Sequence, residues 1–416
     1  MNISNLLRKP MIQNFVSLVL LQGVNYVLPL LTYPFLFRVL EVERWGTVSF
    51  GYVLIQYFVI FTDFGFNLSA TKYISCHRDD LNTINRYLNS AFICRFLLAV
   101  VSFIILFLLT ASFEKFREER VFYFSYFGIV VGNILFPMWY FQGMEKMKYI
   151  TLFNMVAKSA SLLPFFIFIR KPQDYLLVPM FYSIGYILAG LISVYFIYFK
   201  EKMKWFLPSF SEVQAAFKDS FSYFLSRLSV SMFTNINTFI LKLVCGDTAV
   251  GYYSAAEKLY QAYNQLLTPF SGVLFPYMAK TRDVAFFKKI FKTAIPLNIV
   301  LLAGILVLSF WIIQLVYGKA AEVETLSVFR TLMCACFFTI PSMLLGYPFL
   351  AAMGHASYTN WTIMIVSVVH LSGLAILFFT GLLSIYTVAG MVVLAELLLL
   401  GFRIKGVVNY KLFQYE

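Results

Sequence analysis

Residues 89–109 read NSAFICRFLLAVVSFIILFLL, an apolar run interrupted by one charge, Arg95. A helix needs about 20 apolar residues to cross a hydrocarbon layer, so this stretch reads as a membrane span. A cation inside such a span costs roughly 2.5–3.5 kcal/mol on insertion scales and is kept mainly where it faces a bundle interior or a water-filled cavity. Three more spans carry one. Lys158 lies in LFNMVAKSASLLPFFIF (152–168), Arg227 in FSYFLSRLSVSMF (221–233) and Lys258 in YYSAAEKLYQAYNQLL (252–267). Several interior cations with few acidic partners point to a cavity built for an anion.

The whole chain has the same character. It is 60% hydrophobic and only 13% charged, with a mean hydropathy of +0.77, whereas soluble domains carry about 25% charged residues. The reading is an all-α membrane protein. The net charge of +13 does not call for nucleic acid as a partner, because Lys and Arg accumulate in the cytoplasmic loops of membrane proteins. Cys76, Cys94, Cys245, Cys334 and Cys336 are odd in number and scattered, so they read as buried thiols. His77, His355 and His370 stand isolated, without metal-ligand spacing, and no GxxxxGK[ST] loop is present. Neither enzyme chemistry, nor a cofactor, nor a metal is expected. Arg8 and Lys9 precede an apolar run that continues past Pro29 to Phe37. That is too long for the hydrophobic region of a signal peptide, so it reads as a retained first span.

Apolar runs divided by charged or turn-like breaks predict about twelve spans. They fall near 12–37, 46–70, 86–112, 120–143, 149–169, 175–199, 217–244, 249–278, 288–317, 325–352, 357–380 and 383–403. With the N-terminus inside, the cytoplasmic segments hold about nineteen Lys and Arg, Arg403 among them, against about nine on the other side. Both termini are therefore expected in the cytoplasm. The basic connection from Lys200 to about Ala216 divides the chain into two six-helix lobes, 1–204 and 205–416. A weak internal repeat agrees with this. A shift of 205 lays Phe37 to Leu40, Trp45 and Gly46 on Lys242 to Cys245, Val250 and Gly251. The two copies would be parallel, related by a pseudo-twofold axis along the membrane normal. The same shift places Asp63-Phe64-Gly65 on Thr268-Pro269-Phe270 and predicts a weakened helix at both.

Three stretches resemble bacterial polysaccharide flippases of the Wzx type, within the multidrug/oligosaccharidyl-lipid/polysaccharide (MOP) exporter superfamily. They are Phe61-Thr62-Asp63-Phe64-Gly65-Phe66-Asn67-Leu68-Ser69-Ala70-Thr71-Lys72, Pro137-Met138-Trp139-Tyr140-Phe141-Gln142-Gly143-Met144-Glu145-Lys146-Met147, and Ala255-Ala256-Glu257-Lys258 through Pro269 to Phe275-Pro276. The opening from Gln22-Gly23 to Arg38-Val39-Leu40 is similar too. The run Trp139 to Glu145 is the most specific. The pattern departs at Glu41, where such proteins often have Gly, which bears on the geometry of that turn alone. The resemblance implies two six-helix lobes of the MOP type around a central cavity that opens alternately. It also implies movement of an undecaprenyl-pyrophosphate-linked oligosaccharide, such as an O-antigen repeat unit, across the bacterial inner membrane. Its partners would be the lipid-linked substrate, membrane lipids, and polysaccharide polymerase and chain-length machinery.

Arg227 and Lys258 sit roughly 15 Å deep, at about 1.5 Å per residue. They are the first candidates to receive a pyrophosphate, Arg by a bidentate fork and Lys as a compact charge. Pairing with Glu257, Glu396 or Asp63 is the structural alternative. Arg95 and Lys158 lie nearer the ends of their spans and are second candidates for substrate binding. Arg38, Lys242 and Arg330, near the outer ends, are candidates for a gate, and Asp63 and Glu396 for ion coupling. Asn25, Asn67, Asn235 and Asn237 suit sugar hydroxyls or contacts between helices. A drug/cation antiporter of the same superfamily would favour acidic rather than cationic interior groups. A membrane polymerase or ligase would carry a long external loop, which this sequence lacks. A peptidoglycan-precursor flippase usually has extra C-terminal spans.

Overall fold

The computed structural model describes residues 9–318 and 323–414, with side chains from residue 28 onward except those of 226–234, 266–270, 272–273 and 414. Every regular element among the described residues is helical. Eight stretches among them are long and apolar enough to cross a membrane. Two of these, Leu28–Cys76 and Val323–Phe379, are 49 and 57 residues long, too long for one crossing. Phe210–Thr281, at 72 residues, supplies two further segments. The described residues thus make twelve membrane-length segments, as the apolar runs predict.

The long helices break where the backbone turns left-handed. Lys9–Asp63 breaks at Glu41 (φ 62, ψ 169), Phe210–Thr281 at Gly246 (φ 84, ψ −171), and the segment after Leu344 at Gly354 (φ 100). Glu41 and Gly246 are 205 positions apart, the shift of the sequence repeat, and they share one backbone conformation. Beyond each break the two copies meet residue against its own counterpart. A Cβ on Gly46 would fall 1.9 Å from the Asp247 carbonyl oxygen, and one on Gly251 would fall 2.1 Å from that of Val42. Ser254 donates to Ser49 at 3.1 Å. Gly46 with Gly251 and Ser49 with Ser254 are again pairs at the 205 shift. This reciprocal contact is what a two-fold axis through the helix crossing produces.

The expected weakening of a second helix appears in one copy only. Asp63 ends its helix, Phe64 and Gly65 take φ 46 and 81, and the chain restarts at Phe66. Residues 268–270 stay within Phe210–Thr281, whose one non-helical residue is Gly246. A proline removes one hydrogen bond, which a helix survives as a kink; two successive positive-φ residues end it.

Contacts divide the chain into two compact units. The first comprises Met1–Leu40 and Gly51–Ser231, the second Glu41–Phe50 and Met232–Glu416. In the first, Gly132 lies where a Cβ would come within 2.3 Å of the Tyr186 backbone, so Arg120–Leu135 and Leu177–Tyr195 touch backbone to backbone. Small residues permit this in a membrane, where close van der Waals packing replaces the hydrophobic effect. Phe64 is stacked between Phe217 and Phe224, at 4.2 and 4.6 Å. Ser69 and Ser220 share a hydrogen bond of 2.7 Å beside them. Asp80 caps Leu81–Ser112 through the Asn82 and Thr83 amides, and the Thr83 hydroxyl helps hold its carboxyl below the usual range. In the second unit, Met278, Phe287, Leu344, Phe349 and Leu350 form a buried apolar cluster, with Phe287 and Phe349 stacked at 4.1 Å.

Candidate functional site

Arg95 is almost fully buried, at 1% exposure, and its partners explain why. Its Nε donates to the Thr62 carbonyl at 3.4 Å and Nη1 to that of Ile134 at 3.4 Å. Its Nη2 donates to the Asn133 carbonyl at 3.0 Å and to Asn133 Oδ1 at 2.7 Å. These carbonyls belong to two broken helices. Thr62 precedes the break at Phe64 and Gly65; Asn133 and Ile134 precede Pro137, which has no N–H to return. Hydrocarbon offers no water to such groups, and one guanidinium satisfies both breaks. Asp63, 5% exposed, acts electrostatically on the same guanidinium. The sequence candidates Arg95 and Asp63 are thus brought together.

The second unit repeats the device with a residue the sequence places elsewhere. Arg403, expected in a cytoplasmic loop, is 6% exposed within Ile385–Asn409. The predicted span 383–403 ends at it, but the helix continues past it by six residues. Its Nη1 donates to the Ser342 carbonyl, and to Ser342 Oγ at 2.9 Å. Gly346 leaves room for it, since a Cβ there would meet Arg403 Cζ at 2.8 Å. Glu396 and Arg403 act electrostatically on each other.

The remaining candidates are dispersed. Lys158 and Lys258 are half-buried in their spans, and Lys258 adjoins and acts electrostatically on Glu257. The side chain of Arg227 lies outside the described residues. Lys242, 7% exposed, is bonded to both oxygens of Asp247 across the break at Gly246, and its ammonium lies 5.6 Å from the Phe50 ring centre. Arg38 and Arg330 are exposed, and Arg330 donates to Ser309 Oγ at 2.8 Å.

Two polar groups escape the sequence reading. In the first unit, Tyr52, Tyr126 and Tyr182 lie with ring centres 5.5 and 6.3 Å apart, and Tyr33 and Tyr186 interact with them. This places tyrosine hydroxyls from four spans together inside the unit, groups suited to sugar hydroxyls. In the second, His370 is bonded to Asn237, 133 positions away, so it is not isolated. The available signal was polarity alone: one histidine in the otherwise uncharged SVVHLSG at 367–373.

Broken helices, cations buried in spans and an internal repeat characterise a multi-span helical membrane fold. Solved structures share it. A MOP-superfamily multidrug resistance MATE family transporter in an inward-facing conformation matches with a TM-score of 0.72 at 15% identity, over 96% of this chain and 98% of that one. The lipid II flippase MurJ, in an inward closed conformation, matches with a TM-score of 0.75 at 15% identity, over 95% and 89%. The chain belongs to the polysaccharide biosynthesis protein family, which it matches over residues 11–282. An Escherichia coli (strain K12) relative named "Putative O-antigen transporter" is 29% identical, over 65% of this chain and 65% of its own length. A Shigella dysenteriae relative of the same name is 27% identical, over 67% and 70%. The chain is therefore matched to about two-thirds of these relatives' length.

Proposed function

We propose that this protein is a flippase that moves an undecaprenyl-pyrophosphate-linked oligosaccharide, an O-antigen or related repeat unit, across the bacterial inner membrane by alternating access. The observation that carries this reading is the family match over residues 11–282, which includes two half-buried cations inside spans, Lys158 and Lys258. A pyrophosphate is the part of such a substrate that hydrocarbon most strongly rejects, and Lys158, Lys258 and Arg227 are the cations to receive it. Arg95 acts as a structural clamp, because four of its five N–H groups are engaged. The tyrosine group of the first unit offers hydroxyls and ring faces to sugars. The Lys and Arg excess in alternate loops supports cytoplasmic termini. The chain carries out transport without bond-making chemistry, beside the polymerase and chain-length machinery that would use its product. The fold does not separate a flippase from a drug antiporter, since both kinds of solved structure match it; the sign of the interior charge favours the anionic substrate.

Deletion followed by analysis of lipid-linked intermediates tests the reading. Single repeat units should accumulate on the cytoplasmic leaflet. Lys258→Ala and Arg227→Ala should lose most surface polysaccharide at normal membrane abundance, with Arg227→Lys partly active. Each lost hydrogen bond to a charged group is worth roughly 1.5–3 kcal/mol. Normal polysaccharide in both alanine variants would end the cationic-site assignment.

A further inference from the structure

His370 occupies the middle of Ala356–Phe379, a helix with no Asp, Glu, Lys or Arg, and is 1% exposed. Its Nε2 lies 2.9 Å from Asn237 Oδ1 and its Nδ1 3.3 Å from the Met391 carbonyl oxygen. Asn237 Nδ2 in turn donates to the Tyr253 hydroxyl at 3.0 Å. Asn237 is 5% exposed and Tyr253 fully buried. These residues come from the two halves of Phe210–Thr281, from Ala356–Phe379 and from Ile385–Asn409, all within the second unit.

A neutral imidazole has one N–H and one bare lone pair. Set between two oxygens, it directs that lone pair at another lone pair in a buried site. Two arrangements of the same side chains remove the conflict. In the first, the ring carries a second proton and donates from both nitrogens, to Met391 and to Asn237 Oδ1. Tyr253 then accepts from Asn237 Nδ2, and its own hydrogen is released for another acceptor. In the second, the ring is neutral and Nδ1–H faces Met391. The Asn237 amide is turned end for end, so that Nδ2 donates to Nε2 and Oδ1 accepts the Tyr253 hydrogen. One proton on the ring therefore reverses both hydrogen bonds between His370 and Tyr253 and leaves the bond to Met391 as it is.

We propose that His370 is a proton-binding site whose occupancy is transmitted by Asn237 and Tyr253, so that translocation is coupled to binding one proton. The coupling rests on the transport reading above; the proton site does not. The proton is taken from water on one side of the membrane, forms the Nε2–H bond, and returns from the same nitrogen to water on the other side. No other bond changes. The titratable groups on the surrounding elements are few. Phe210–Thr281 contributes Tyr253 and, one turn further on, Glu257, which acts electrostatically on it; Lys242 on that helix is tied to Asp247. Ile385–Asn409 contributes Glu396, five residues past Met391 and opposed by Arg403. The histidine's own helix contributes Tyr358, twelve residues back, whose hydroxyl donates to the Phe402 carbonyl at 2.7 Å. Glu257, which acts electrostatically on Tyr253, has Lys258 beside it.

With His77 and His355 changed to Gln, His370 is the one imidazole left. Nitrogen-15 spectra of this full-length protein in lipid nanodiscs read tautomer and charge directly. The expected result is a single one-proton transition of the ring between its neutral and charged forms. In Asn237→Asp, a carboxylate against Nε2 favours the charged ring, and the transition should move to higher pH. In proteoliposomes carrying a fluorescent lipid-linked oligosaccharide, a pH gradient should change the wild-type rate by about fivefold or more, the lower end of ordinary coupling. His370→Gln, scaled to its own rate without a gradient, should lose that response. An imidazole that keeps one charge state over the whole pH range in which the protein stays folded overturns the proton site, and an undiminished response in His370→Gln overturns the coupling. Absence of any translocation by the wild type would reject the transport reading, and the spectra would still decide the proton site.

Discussion

Glu41 holds φ 62 and ψ 169, a conformation reserved almost entirely for glycine, and its counterpart at the repeat shift is Gly246 (φ 84, ψ −171). A side chain in that region costs of order 1–3 kcal/mol. Glu41→Gly removes that strain but adds about 0.5–1 kcal/mol of glycine entropy in the unfolded chain. The net gain expected is about 0.5–2 kcal/mol. The reverse experiment is cleaner. A Cβ on Gly246 meets nothing within 4 Å, so Gly246→Ala creates no clash and its cost is backbone strain less the unfolded-chain entropy alanine saves, about 0.5–2 kcal/mol.

Glu41→Ala separates the backbone effect from the carboxylate. The Glu41 side chain is exposed, so the alanine variant keeps the strain and should unfold close to wild type. Thermal unfolding of the purified protein in one detergent, followed by loss of its helical circular dichroism, should rank Glu41→Gly above wild type and Gly246→Ala below it. If Glu41→Gly and Glu41→Ala unfold at the same temperature, the strain argument is wrong, whatever their position relative to wild type.

Arg95→Met should deplete the protein from the membrane, since an uncompensated buried partner costs about 3–5 kcal/mol; adding Asp63→Asn should restore part of the loss, read by quantitative blots. Gly46→Val and Gly251→Val should each reduce abundance by forcing apart two helices that leave no room for a Cβ, at a cost of at least about 1–3 kcal/mol. Reporter fusions after residues 80, 147, 210 and 285 should signal cytoplasm and those near 116 and 172 the opposite side; an external signal at 210 would reject the six-plus-six arrangement.

The spans were legible because membrane length and apolar composition are local properties, readable one window at a time. The repeat was legible because its contact uses the same residues twice, Gly46 with Gly251 and Ser49 with Ser254. What a window cannot report is which carbonyls lose their partners. The role of Arg95 depends on Gly65 and Pro137 breaking two different helices beside one guanidinium, a coincidence of three distant positions. Arg403 looked like a loop residue because the predicted span stops at it, whereas the helix runs on to Asn409. His370 looked isolated because its partner Asn237 lies on another helix far away in sequence. In each case the hidden information is a polar contact between segments, which hydropathy averages away.

The two buried arginine–carboxylate arrangements differ in a way that bears on ion coupling. Arg95 is nearly saturated, with four of its N–H groups on carbonyl and amide oxygens of neighbouring helices. A cation arriving at Asp63 would face this fixed positive charge, and moving Arg95 aside would strand the carbonyls of two helix breaks. The second arrangement is less complete on the arginine side: Arg403 Nε is buried without a hydrogen-bond partner among the described residues, whereas Arg95 Nε is engaged. Buried polar atoms are normally satisfied, so this pair has capacity for a further ligand such as water. Glu396 also stands on the helix that supplies Met391 to His370. Of the two carboxylates the sequence offers for coupling, we therefore propose Glu396 as the one to test first. If coupling is lost in Glu396→Gln and His370→Gln alike while Asp63→Asn retains it, the second unit carries the ion and the clamp in the first holds the fold.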